Sequence, residues 1–181
     1  MEGWELRGEA PNPCTAVPGF GRYYFPMATS TTIKSISDLR DHVDVELGLS
    51  DWVKITQERI DAFADATGDH QWIHCDPARA RRESSYGGTI AHGYLTLSLG
   101  PALLEQIVTI EDMKTAVNTG SDKVRLSAPV PAGAKIRMSA RIKDARDLPG
   151  GGVRVTMALR FEIEGVSKPA CLANVNYVYF N

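Results

Sequence analysis

Two stretches near the C-terminus constrain the chain most. In KIRMSARIK (135–143), Ile136, Met138, Ala140 and Ile142 alternate with Arg137, Ser139, Arg141 and Lys143. GVRVTMALRFEIEG (152–165) alternates the same way through Val153, Val155, Met157, Leu159, Phe161 and Ile163. A side-chain period of two over this length predicts long antiparallel strands with one apolar face. DLPGGG (147–152) joins them as a hairpin. ACLANVNYVYF (170–180) predicts a third strand, SDKVRLSAPV (121–130) a fourth, and TAVNTG (115–120) a fifth. Such a sheet must cover its apolar face.

The cover is upstream. GYLTLSLGPALLEQIV (93–108) is apolar on nearly all sides, as a helix buried on most faces would be. Pro101 lacks an N–H, so a kink or break is expected near it. The economical arrangement is α+β: a curved antiparallel sheet wrapped around a central helix, a single hot-dog domain. It is expected to span residues 36–181. Residues 1–35 then form an extension, poorly ordered or, over residues 1–26, a misassigned start, since Met27 opens an ordinary beginning. The chain has 181 residues, 43% of them hydrophobic, which is enough for one real core. A net charge of −2 with no basic run excludes a nucleic-acid footprint, and no apolar run is long enough to span a bilayer. Three scattered cysteines with no CxxC pair fit a reducing, cytoplasmic setting.

The chemistry-bearing residues lie before the central helix. TQERIDAFADATG (56–68) carries Ile60, Phe63, Ala64 and Thr67 at helical spacing. Thr56 is its expected N-cap, Ile55 and Ile60 a hydrophobic staple, and Gly68 the left-handed stop. Asp69 therefore emerges just past a helix end, and DHQWIH (69–74) is expected to be a loop. DPARARRES (76–84) reads as a short helix with Asp76 as N-cap and Pro77 at its first position.

Asp69, His70, His74, Cys75 and Asp76 are all potential metal ligands. No HExxH, CxxC or paired-histidine spacing is present, and no metal is expected. Two readings remain. Asp69 can close a turn while His74 is a satisfied, partly buried imidazole. Alternatively the carboxylate and the imidazole converge as an acid–base pair that holds a water, with Trp72 and Ile73 shutting out bulk solvent. Gly93, at the start of the buried helix, offers a backbone N–H to a carbonyl gaining negative charge, or merely a tight turn into the helix.

FADATGDHQWIHCDPARA (63–80), followed by IAHGYLTLSL (90–99), resembles the MaoC-like dehydratases, the (R)-specific enoyl-CoA hydratases of the hydratase-2 type. That family shows an aromatic residue, a Gly-Asp pair, a histidine, and a small residue six positions later. Phe63, Gly68–Asp69, His74 and Ala80 match it. The resemblance runs from about residue 36 to the end, roughly four-fifths of the chain. Where the family usually has Asn-Pro, this chain has Gln71–Trp72, as in the subgroup resembling nodulation protein N. The bulk of Trp72 bears on acyl-chain preference.

The resemblance implies a hot-dog fold and a hydro-lyase. The reaction would be reversible addition of water to a trans-2-enoyl thioester, giving a (3R)-hydroxyacyl thioester. It makes Asp69 and His74 catalytic and Gly93 the oxyanion-hole donor. Gln71, Trp72, His92 and Ser98 are expected to support or line the pocket. No cofactor is implied beyond coenzyme A as carrier of the acyl-CoA substrate, whose phosphates Arg81, Arg82 or Lys123 would meet. A homodimer is expected, because one subunit exposes a sheet edge. The competing expectations are a hot-dog thioesterase and a non-catalytic acyl-thioester-binding subunit.

Overall fold

The computed structural model describes residues 28–181. The possible misassigned start lies outside the described residues. Residues 31–33, assigned above to the extension, form a short strand, β1 (Thr31–Ile33), and Ile33 is buried. The packed chain thus begins before residue 36. β1 pairs in parallel with β4 (Val108–Ile110), which ends the central helical segment.

The alternating stretches form long strands: β6 (Lys135–Asp147), β7 (Val153–Ile163) and β8 (Val166–Phe180). With β2 (Glu46–Leu49) and β5 (Thr115–Leu126) they make an antiparallel sheet in the order β2-β6-β7-β8-β5, and β3 (Val53–Lys54) also pairs with β6. Register aligns the apolar residues in rows. Met138, Phe161 and Cys171 face one another across three strands, as do Ala140, Leu159 and Ala173, and Ile142, Met157 and Val175. All nine are buried. Burial of each large member stabilises the fold by about 1.5–3 kcal/mol.

The central segment lies against these rows as two helices, α4 (Gly93–Ser98) and α5 (Gly100–Ile107). The break falls at Leu99, just ahead of Pro101. Proline sits in the first turn of α5, where its missing N–H costs nothing. Gly100 brings α5 close to β7: a Cβ there would lie 3.3 Å from Leu159 Cδ1. Leu103, Leu104 and Ile107 complete the contact face and are buried. The wrapped-sheet arrangement expected from the sequence is the fold observed. Among the described residues no helix is long and apolar enough to cross a membrane.

Candidate active site

The site is assembled by α1 (Gln57–Thr67), the turn after it, and the segment leading into α4. Thr56 caps α1 by accepting from the Arg59 N–H, and Ile60 and Ala64 anchor it in the core. Gly68 ends it in the left-handed conformation (φ 76°), its N–H bonded to Ala64 O at 2.7 Å. This reversal delivers Asp69. One carboxylate oxygen accepts from the Gln71 N–H at 3.4 Å, closing a local turn. The other carboxylate oxygen lies 3.9 Å from His92 Nε2, and 57% of the side chain is exposed.

DHQWIH is not wholly a loop. Trp72–Cys75 form one helical turn, α2, with Gln71 as its exposed N-cap. The turn faces His74 inward, where it is buried. Nδ1 of His74 lies 2.7 Å from Ile90 O. A carbonyl only accepts, so Nδ1 carries the proton and Nε2 keeps its lone pair. The turn is fixed from behind by Gln57, whose amide donates to His74 O at 2.7 Å and accepts from the Thr89 hydroxyl. Sequence reasoning missed Gln57; a lone glutamine in a first helical turn carries no signal.

The other wall comes from residues 89–93. Ile90 N–H donates to Ile73 O and Ala91 N–H to Val130 O. His92, buried, lies between the two walls: its Nε2 is 2.9 Å from Asp69 O, and its ring stacks on His74 with centroids 3.9 Å apart. Asp69, His74 and His92 thus bring a carboxylate oxygen and two ring nitrogens within 4.8 Å of one another. His74 and Gly93 line one cleft of ≈ 360 Å³ with Tyr86, Thr96, Leu126 and Ser127. A Cβ on Gly93 would lie 2.2 Å from Leu126 Cδ1, so a larger residue there displaces the end of that exposed leucine.

Three expected residues are elsewhere. Ser98 lines a separate cleft with Asn118, Ser121 and Tyr177. Five residues beyond Gly93 it is turned away by about 140°, while Thr96, buried, faces the His74 cleft. Trp72 lies two positions from His74 on a single turn and so points away from it, under the Arg79 guanidinium, 4.4 Å from the ring centroid. Lys123 sits among Ser139, Arg141 and Arg160 on the outer sheet face. Of the other cations, Arg82 lies 3.9 Å from Glu83, and Arg81 lines a neighbouring cleft that shares Tyr86 with the first.

The cluster has the composition of a metal site but not its geometry. The two imidazoles are stacked, tilted by only 28°, and their free lone pairs lie in nearly parallel planes. An ion would have to lie in both planes at about 2 Å from each nitrogen, which this arrangement does not allow. What the arrangement can do is hold a water between an open carboxylate and an imidazole lone pair, next to a free helix N-terminus.

Residues 39–159 match the family model described as a MaoC-like domain. The chain is 48% identical over 149 residues to 3-hydroxyacyl-thioester dehydratase Z of Mycobacterium tuberculosis, covering 81% of this chain and 98% of that protein. It is 40% identical to nodulation protein N of Rhizobium leguminosarum bv. viciae, over 77% of this chain and 88% of the other. Among solved structures it resembles the R-hydratase PhaJ1 of Pseudomonas aeruginosa (TM-score 0.63, 22% identity, covering 77% and 82% of the two chains). It also resembles an (R)-hydratase from A. caviae (TM-score 0.57, 21% identity, covering 72% and 96%). At those identities the structural likeness concerns the fold.

Proposed function

The chain belongs to the MaoC-like dehydratase family and is a hydro-lyase, and from that membership we propose that it interconverts a trans-2-enoyl thioester and its (3R)-hydroxyacyl thioester. The observation that supports the reading is that a carboxylate oxygen of Asp69 lies within 4.8 Å of ring nitrogens of His74 and His92, while His74 lines one cleft with Gly93.

In the hydration direction, a water is held by the Asp69 carboxylate and His74 Nε2. One of its protons passes to this pair as its oxygen bonds C3 of the enoyl group. The C2–C3 π electrons move toward the thioester carbonyl, and the charge gathering on that oxygen is met by the Gly93 N–H. A proton from the same pair then reaches C2. Dehydration is the reverse. His74 suits this role because the Ile90 carbonyl fixes its tautomer, leaving Nε2 free to accept. The scheme calls for no metal or redox group; coenzyme A is the carrier, and the cytoplasm is where we place it.

A second copy of the chain completes the assembly in this reading. β5 is a twelve-residue sheet edge, exposed throughout, and Val117, Val124 and Leu126 are among its exposed residues. Its unpaired N–H and C=O groups offer a template for a second strand, even though bulges and charged residues interrupt it. Leu126 belongs both to this edge and to the catalytic cleft, so a partner docked on β5 adjoins the site.

The test is loss of enoyl absorbance with crotonyl-CoA and with a longer trans-2-enoyl-CoA, followed by chiral analysis of the product. The expected product is the (3R) isomer. Free thiol release in place of hydration would replace this reading with thioester cleavage, and neither reaction at either chain length would leave a binding subunit.

A further inference from the structure

The hydratase reading uses Asp69, His74 and Gly93, yet the residue that touches all three parts of the site is His92. It immediately precedes Gly93 and is the N-cap position of α4. Its Nε2 reaches the Asp69 main-chain carbonyl at 2.9 Å, and its ring lies flat on His74. Phe63, from α1, tilts against its other surroundings with ring centroids 5.1 Å apart. The ring's protonation pattern follows from its neighbours. The Asp69 carbonyl can only accept, so Nε2 donates. Nδ1 is buried with no hydrogen-bond partner, so it carries the lone pair, since an N–H there would be a buried donor without an acceptor.

Resting on the functional reading above, we propose that His92 is a positioning residue that sets the spacing between the acid–base pair and the oxyanion donor. One N–H ties the Asp69 turn to the residue preceding Gly93. The ring face fixes the plane of His74, whose edge is already fixed by Ile90. Neither constraint touches the substrate. The N–H is the dominant constraint: its loss shifts the water-holding groups relative to the Gly93 N–H, and a displacement of about 1 Å between such groups costs about 10²-fold in rate, whereas loss of the ring face alone costs less.

The two constraints separate by substitution. His92→Phe keeps a flat ring and similar volume but places C–H against the Asp69 carbonyl. His92→Gln keeps a donor at the position of Nε2 but loses the stacked ring. Steady-state kinetics on wild type and both variants are paired with nitrogen NMR of the histidine tautomers in the unliganded protein. The expected result is a kcat about 10²-fold lower in His92→Phe, with KM within about a factor of two, and recovery to within about tenfold of wild type in His92→Gln. The spectra should show His92 protonated on Nε2 and His74 on Nδ1. Wild-type kcat in His92→Phe, equal impairment of both variants, or a His92 ring protonated on Nδ1 overturns the proposal. A wild type that does not hydrate at all sinks the functional reading instead, and the tautomers then still decide whether His92 holds the Asp69 turn.

Discussion

At the scale of single residues, the site depends on tautomers and on thiols kept out of the chemistry. Cys75 ends the turn that carries His74, but burial raises its pKa, and Asp61, Asp65 and Asp69 add to the rise. Burial pushes the Cys171 thiol up to about 11. Both stay protonated near neutrality, where the thiolate is the reactive form. Iodoacetamide at pH 7.5 should therefore label folded Cys171 far more slowly than a free thiol and leave hydration intact; rapid labelling of the native protein would contradict this. The linkage has a definite sign. The folded-state pKa of Cys171 lies above its ordinary value of 9.0, so the unfolded chain loses the proton first. Stability from this group is complete below about pH 9 and falls as pH rises through about 11. Burial of Tyr177 and Tyr179 raises their phenols too and acts in the same direction. Urea midpoints at pH 8 and pH 10.5 should differ accordingly, the higher pH being the less stable.

At the scale of elements, the start of α4 is the sensitive point. Gly93→Ala puts a methyl against Leu126 Cδ1, so either that exposed side chain or the helix start must give, and activity should fall to the extent that the helix start moves. Leu126→Ala in the same chain removes the obstruction. Kinetics on the single and double variants should show partial recovery; no difference between them would mean that the leucine does not govern the helix position. The capping of α1 is a milder case: Thr56→Ala should cost about 1 kcal/mol in urea denaturation. These elements were unequally legible in the sequence. β6 and β7 were plain because their registers run long stretches without a slip. β5 read as two pieces because bulges between Asn118 and Gly120, and between Asp122 and Arg125, interrupt its pairing with β8. Each extra residue reverses the side-chain alternation. The Asp69 turn was legible from the glycine stop of α1. The one-turn helix holding His74 was not, since four residues carry too little periodicity. Trp72 and Ser98, which the resemblance implied for the pocket, lie off the His74 face because of their helical positions, Trp72 under Arg79 and Ser98 in a separate cleft.

At the scale of the whole molecule, one chain exposes an edge that it cannot satisfy alone. Sedimentation equilibrium should give twice the 19.8 kDa chain mass. Val117→Glu, which puts a charge at an exposed apolar position of this edge, should shift the protein toward monomer. A wild-type monomer at micromolar concentration would remove the dimer from the account. The central claim remains that the Asp69 turn and His74 move the proton that makes water a nucleophile. The most direct measurement compares trans-2-enoyl-CoA hydration by wild type, Asp69→Asn and His74→Gln, with folding checked for each. The account predicts (3R) product from wild type and a rate about 10²–10⁴-fold lower in each variant. Turnover by both variants at the wild-type rate would contradict it.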